Sequence, residues 1–273
     1  MRLSPISLAI TRLGRPANPD AAIKALFAAG EQGVWYDPSD LSTMFQDATG
    51  TTPVTADGQP VGKILDKSGR GNHASQATSA KRPLYKTDGT YHWLQADGVD
   101  DSLQVSSLDL SSTAIISIFN GTTESTGGVL FEAGPNWGTT AKAFAQSHSS
   151  ILTNDIGVVN APQSGSSGTC ATPVLAKPAT SVMSATINIA GTNQAEDFPV
   201  FKRNALNVTR SYSGNFATSN TAFGNLPLNI FSRNQAQYFF TGKLYSLIIR
   251  GANSSSQEIT DTETWVNGKT GAF

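Results

Sequence analysis

Two short stretches concentrate the side chains that could do chemistry: "ILDKSGRGNHASQ", Ile64 to Gln76, and "WLQADGVDDSL", Trp93 to Leu103. In the first, Asp66, Ser68 and Arg70 with Gly71 imitate the opening of a calcium loop, whose first, third and fifth positions supply oxygen. Arg70 puts a cation where a ligand belongs, and the twelfth position is Ala77 instead of glutamate, which excludes an EF-hand. No Gly-Lys-Ser/Thr follows and no helix pattern starts there, so the stretch is no phosphate cradle. What remains is turn chemistry, with Asp and Asn side chains bonding nearby backbone amides. In the second stretch Asp97, Asp100 and Asp101 place three carboxylates in five residues around Gly98. They can satisfy turn amides, or hold Ca²⁺ if backbone carbonyls complete the shell.

Sugar recognition would need an exposed ring with amides or carboxylates beside it. Trp137, next to Asn136 in "GPNWGTT", and Tyr212 in "RSYSGNF" meet that description; for Trp137, packing within its own loop is the equal alternative. Trp35, Trp93 and Trp265 fall in periodic segments and read as core. Catalysis finds little support. A retaining glycosidase needs two carboxyl groups about 5 Å apart, and Glu132, Glu196, Glu258 and Glu263 stand in no pairing pattern. Glu196 and Asp197 are adjacent, so on a strand they would face opposite sides. There is no Gly-x-Ser-x-Gly elbow. The lone Cys170 and the scattered His73, His92 and His148 form no disulfide framework and no metal spacing. The reading is of a protein that is not an enzyme.

The elements that position these residues are short and numerous. Only 14% of the 273 residues are charged and the net charge is −1, leaving no basic field for nucleic acid. No apolar run reaches the ~18–20 residues of a membrane helix. The opening "MRLSPISLAITRLGR" lacks a cleavage-site pattern and reads as mature protein. Ile6, Leu8 and Ile10 alternate as in a strand, and a terminal strand can add to a neighbouring sheet edge. In "NPDAAIKALFAAG", Asn18 and Pro19 start a helix that Gly30 closes, with Ile23, Leu26 and Phe27 on one face. From Val34 on, strand-like runs alternate with turn signals, including Asn120-Gly121 and Gly127-Gly128, while Gln163 to Thr169 reads as a loop. Near the end, Ser255 and Glu258 have capping-box spacing, with Ile259 and Val266 on one helix face. Many short strands without intervening helical stripes indicate an all-β sandwich or barrel, not an α/β sheet.

"DKSGRGNHASQ", "DGVDDSL" and the later "GKLYSLIIRG" resemble segments of laminin-G-like, concanavalin-A-like jelly rolls. Together with "GEQGVWYDPSDLSTMFQDATGTTPVTADGQPVG" and the terminal "ETWVNGKTG", they resemble a set of tailed-bacteriophage virion proteins over about residues 30 to 271. Ala96 departs from the Phe usual before Asp-Gly, and residues 139–180 match nothing in the group. The resemblance implies a two-sheet antiparallel jelly roll on the surface of a phage particle, with loop calcium left open and no other cofactor.

The expected organisation is an arm and docking helix over 1–30 and a jelly roll over 31–273. Ile6, Leu8, Ile10, Ile23, Leu26 and Phe27 would bind other virion proteins. The expected role is a tail or tail-tip structural protein whose jelly roll contacts host surface glycan through Trp137, Asn136 and Tyr212. A capsid decoration or head-fibre protein and a free-standing lectin are the alternatives. Nucleic acid and membrane are excluded as partners, and homo-oligomers are left open.

Overall fold

The computed structural model describes residues 18–148, 155–163, 166–173, 175–214 and 221–273. Two antiparallel sheets face one another, as the strand spacing predicts. The first runs in space from Leu206–Asn207 through Val200–Arg203 and Ala179–Asn188 to the front half of Ile115–Ala133, then Thr241–Arg250. The two halves of Thr241–Arg250 pair separately on their far side, one with His92–Asp97 and one with Gly33–Tyr36, and Leu84–Thr87 closes the edge. The second sheet runs from Ser211–Gly214 through Ser166–Pro173, Asp155–Gln163 and Ala143–His148 to the back half of Ile115–Ala133. It continues through Asn225–Ile230, Leu103–Asp109, Ala74–Ser75 and Lys63–Ile64 to Met44–Phe45.

Side-chain alternation sorts residues between layers. Val34 and Tyr36 enter the core between the sheets with Ile116, Ile118, Leu228 and Ile230. Trp35, between them in sequence, points the other way and joins Phe119, Val182 and Ile248 on the outer face of the first sheet. Two helices cover that face: Asp20–Ala25 near the start and Ser256–Thr270 at the end. Because both faces are covered, "GVWY" is buried throughout. The C-terminal helix has the predicted capping box, Ser255 accepting from Glu258 N while the Glu258 side chain accepts from Ser255 N. Ile259 and Val266 are buried beneath it.

The structure corrects several expectations. The N-terminal helix is only six residues, with Asn18 Oδ1 accepting from Asp20 N. Its apolar face does not wait for a partner. Ile23, Leu26 and Phe27 are at most 2% exposed, packed against Trp35, Trp265 and Val266 of the same fold. Trp265 Nε1 donates to Asp20 Oδ1 at 3.0 Å, and Arg70 donates to Phe27 O. Residues 18–30 therefore belong to the sandwich, and a boundary at residue 30 divides no structural units. Ile6, Leu8 and Ile10 lie outside the described residues.

Asn120-Gly121 is not a turn but the middle of a 19-residue strand, Ile115–Ala133. Gly121 is small so that the C-terminal helix can approach: a Cβ there would lie 2.5 Å from Thr270 Cγ2. Gly127 and Gly128, at φ +116° and +119°, bend this strand out of one sheet and into the other. Ser166–Pro173 is a paired strand, so the reading of Gln163 to Thr169 as a loop missed a hairpin.

Candidate ligand-binding face

The Asp66–His73 turn is a lock within the chain. Asp66 Oδ1 accepts from Trp35 N and Ser68 N, both at 2.9 Å, and Oδ2 accepts from Ser68 Oγ and Asn72 N. Asn72 Nδ2 donates to Gly33 O at 2.7 Å. The Asp66 side chain thus does the predicted turn chemistry, and Asp66 and Asn72 together fasten the turn to the strand Gly33–Tyr36, over thirty residues away. His73 Nδ1 accepts from Asp66 N at 3.0 Å, so the neutral ring carries its proton on Nε2.

The three acidic residues of the second stretch do converge. One oxygen from each of Asp97, Asp100 and Asp101 lies within 4.8 Å of the others. Yet Asp97 Oδ1 accepts from Val99 N and Asp101 Oδ2 from Asp97 N, which is turn bonding again. A calcium ion here would need backbone carbonyls or water beside these carboxylates to reach its six to eight oxygens. Burial raises the Asp101 carboxyl to about 6, with repulsion from Asp97 and Asp100 adding to it. Burial does the same for Asp197, also to about 6. A carboxyl raised in the folded state stabilises the fold while protonated, fully below the ordinary 3.8, and loses that contribution as pH rises through about 6. The melting temperature is therefore expected to be higher at pH 5 than at pH 7.5, and the Asp101→Asn/Asp197→Asn double variant should flatten the difference. Equal melting temperatures for the wild type would refute this.

The predicted sugar-stacking residues sit differently from expectation. Trp137 is only 9% exposed and packs with Val129, Ala145 and Val159 against the outer face of the second sheet. One ring face is covered by the Arg233 guanidinium, 3.8 Å from the centroid. Asn136 Oδ1 accepts from Gly138 N, holding the loop. Tyr212 is half-buried beside the main core and pairs in register with Cys170, whose thiol burial pushes up to about 12. The Trp137 ring is thus committed to its own loop and to Arg233.

The outer side of the second sheet carries a polar ladder, partly open at Ser75 and Gln104 and fully covered at Asn229 and Glu132. Leu103, Val105, Leu228, Ile230 and Phe131 point into the core, so Gln104, Asn229 and Glu132 point outward. Register sets Ser75 opposite Gln104, Gln104 opposite Asn229 and Asn229 opposite Glu132. Gln104 Nε2 donates to Asn229 Oδ1 at 2.7 Å, and Asn229 Nδ2 donates to Gly134 O. Glu132, fully buried, accepts from Arg233 Nε at 3.1 Å and from Trp137 N. Burial raises its carboxyl, against the pull of Arg233. Arg233 also lies 4.9 Å from the ring of Tyr238, which is 45% exposed.

The loop that carries Arg233 is strained. Phe231, Asn234, Gln235 and Tyr238 all have φ between +49° and +70°. Non-glycine residues in that region cost of order 1–3 kcal/mol each, and such strain gathers at functional sites.

A second polar group, between the sheets, also went unread in the sequence. Asn120 and Gln146 exchange amide bonds, Gln146 meets His148 Nε2 at 3.0 Å, and His148 Nδ1 meets Glu124 at 3.1 Å. Lys177 Nζ reaches Glu124 Oε1 at 2.8 Å. Burial would raise the Glu124 carboxyl, but the bonds to His148 and Lys177 outweigh it and hold it at about 2. These four side chains on the strands are at most 2% exposed and serve the interior.

The two facing antiparallel sheets make this chain an all-β jelly-roll-like sandwich. No family matches the chain by sequence, and no curated protein is similar to it by sequence. Among solved structures it is similar to a GH54 α-L-arabinofuranosidase, at 12% identity and TM-score 0.55, covering 92% of this chain and 65% of that one. It is also similar to the binding domain of botulinum neurotoxin serotype G, at 9% identity and TM-score 0.52, covering 74% and 48% of the two chains. The chain thus spans less than two thirds of either protein, and at these identities the likeness is one of fold.

Proposed function

We propose that this chain is a non-enzymatic carbohydrate-binding module displayed on the surface of a bacteriophage particle. The observation that carries the binding reading is the outward ladder Ser75–Gln104–Asn229–Glu132, with the strained Arg233 loop beside it. Asn229 is buried with both ends of its amide bonded, but it fixes one end of the Gln104 amide and leaves the other without a partner among the described residues, which suits hydroxyl-rich ligands that both donate and accept. Binding is favoured over hydrolysis because Glu132, the carboxylate in the middle of that face, is fully buried and bonded to Arg233 and Trp137 N. A general acid must reach the glycosidic oxygen.

Similar folds occur both in an arabinofuranosidase complexed with arabinofuranosyl-α-1,2-xylobiose and in a neurotoxin receptor binding domain, so the fold is compatible with either role. The particle location rests on the likeness of residues 30 to 271 to phage virion proteins. With Ile23, Leu26 and Phe27 committed to the fold, attachment falls to the segment ahead of Asn18, through Ile6, Leu8 and Ile10.

The test has two arms. The purified protein on a glycan array should bind a restricted set of glycans without releasing reducing sugar, and EDTA should leave binding intact because the ladder needs no cation. An antibody raised against residues 31–273 should label intact particles. Absence of array binding, or sugar release, overturns the binding reading; unlabelled particles overturn the location.

A further inference from the structure

Where the ladder meets the strained loop, a groove of about 240 Å³ opens, lined by His73, Ser75, Gln76, Gln104, Ser106 and Gln235. We infer that this groove is a subsite for a single uncharged sugar ring, an inference that rests on the carbohydrate-binding reading above. Its size is below the ~300–1,000 Å³ of pockets for drug-sized ligands. With Ala77 the lining numbers seven residues, and none is a carboxylate, lysine or arginine.

The argument lies in how its polar groups are oriented from behind. Thr78 N donates to Gln76 Oε1 at 3.0 Å, so the other end of that amide must be the donor. Gln76 Nε2 then gives to Ser102 O, Ser102 Oγ and Gln235 Oε1. This leaves Gln235 Nε2 as a donor with no partner among the described residues. On the other wall, Asn229 Nδ2 is committed to Gly134 O, which makes Asn229 Oδ1 the acceptor and Gln104 Nε2 its donor. Gln104 Oε1 is left as an acceptor with no partner among the described residues. His73, with Nδ1 occupied by Asp66 N, offers Nε2–H. Ser75 and Ser106 add hydroxyls that work in both directions.

The groove thus holds two fixed donors, one fixed acceptor and two adaptable hydroxyls, the amides of Gln104 and Gln235 being set by Asn229 and Gln76, which backbone groups orient in turn. A phosphate, sulfate or carboxylate would find no cation here, and an ammonium no anion. A ring of hydroxyls finds a partner at every point. The left-handed conformation of Gln235, φ +55°, is what brings its amide to the rim.

The test uses the full chain, with wild type and Ser106→Trp compared on an array of neutral, sialylated and sulfated glycans. Ser106 is exposed on the strand Leu103–Asp109, so the indole fills the groove from the surface. In parallel, wild-type side-chain amide resonances are followed while methyl glycosides of glucose, galactose, mannose and N-acetylglucosamine are added. The expected result is binding to neutral glycans, a loss of about tenfold or more in Ser106→Trp, and shifts in the Gln104 and Gln235 amides. If both proteins bind alike and those resonances stay still, the groove assignment is overturned while the carbohydrate module stands. Binding confined to sialylated or sulfated glycans overturns the uncharged ligand. Binding by neither protein overturns both readings.

Discussion

Arg233→Ala should destabilise the fold by about 3–5 kcal/mol at pH 7.5, the usual cost of removing one partner from a buried ion pair. In a chain of this size that is roughly 10 °C of melting temperature. The loss comes mainly from Glu132, which is fully buried and keeps only its bond from Trp137 N once the guanidinium has gone. A second part comes from the bare ring face of Trp137, which Arg233 now covers at 3.8 Å. Burial already raises the Glu132 carboxyl. Without Arg233 it rises further, so acid should relieve the variant by protonating it, and the deficit should shrink between pH 7.5 and pH 5. Glu132→Gln/Arg233→Ala should be more stable than Arg233→Ala alone, because the uncompensated charge is gone. Arg233→Lys should recover only part of the loss, since an ammonium can pair with Glu132 but not stack flat on Trp137. Denaturant unfolding of the four proteins at two pH values measures all of this. An Arg233→Ala protein within about 0.5 kcal/mol of wild type would show that the pair behaves as a surface salt bridge.

This pair also marks where sequence reading reaches its limit. The layers were legible because alternation is local: Val34, Trp35 and Tyr36 announce a strand with two covered faces. The capping box of Ser255 and Glu258 was legible for the same reason, its two partners being three residues apart. Asn120-Gly121 misled because the dipeptide that favours a hairpin turn also suits a buried polar contact followed by a close helix approach. Ile23, Leu26 and Phe27 were correctly seen as one face, but periodicity does not say whether the surface opposite belongs to the same chain. For Trp137 in its Gly/Pro/Asn loop, stacking on a sugar and packing within the loop were equal readings; the fold favours packing and places Arg233, almost a hundred residues on, over one ring face. The groove was hidden more deeply. Neutral amides such as Gln76, Gln104 and Gln235 have no motif, and the bond between Gln76 and Gln235 spans 159 residues. His73, Ser75 and Gln76 do fall inside the quoted stretch Ile64 to Gln76, but there their spacing spoke only of a turn.

Asp66→Ala is expected to cost about 3–4 kcal/mol, because hydrogen bonds to a charged acceptor contribute ~1.5–3 kcal/mol each and buried donors left unpaired add to the loss. Four donors converge on this carboxylate: Trp35 N, Ser68 N, Ser68 Oγ and Asn72 N. Trp35 N lies on an edge strand of the first sheet, and its neighbours Val34 and Tyr36 enter the main core. Without Asp66, both Trp35 N and the Asn72 segment lose their fixed acceptor, and the contacts that hold the N-terminal helix through Arg70 and Phe27 O weaken with them. Asp66→Asn should fall between wild type and Asp66→Ala: its oxygen can keep two donors, while its NH₂ faces the other two. Asp97→Ala provides the contrast. Asp97 is exposed and its strongest side-chain bond is a single one to Val99 N at 2.8 Å, so its loss should stay within about 1 kcal/mol. Thermal and urea unfolding of the three variants would decide between a lock and a ligand loop. If Asp66→Ala melts with the wild type, or if Asp97→Ala proves the more damaging change, the Asp66–His73 turn is not what fastens the N-terminal strand to the sandwich.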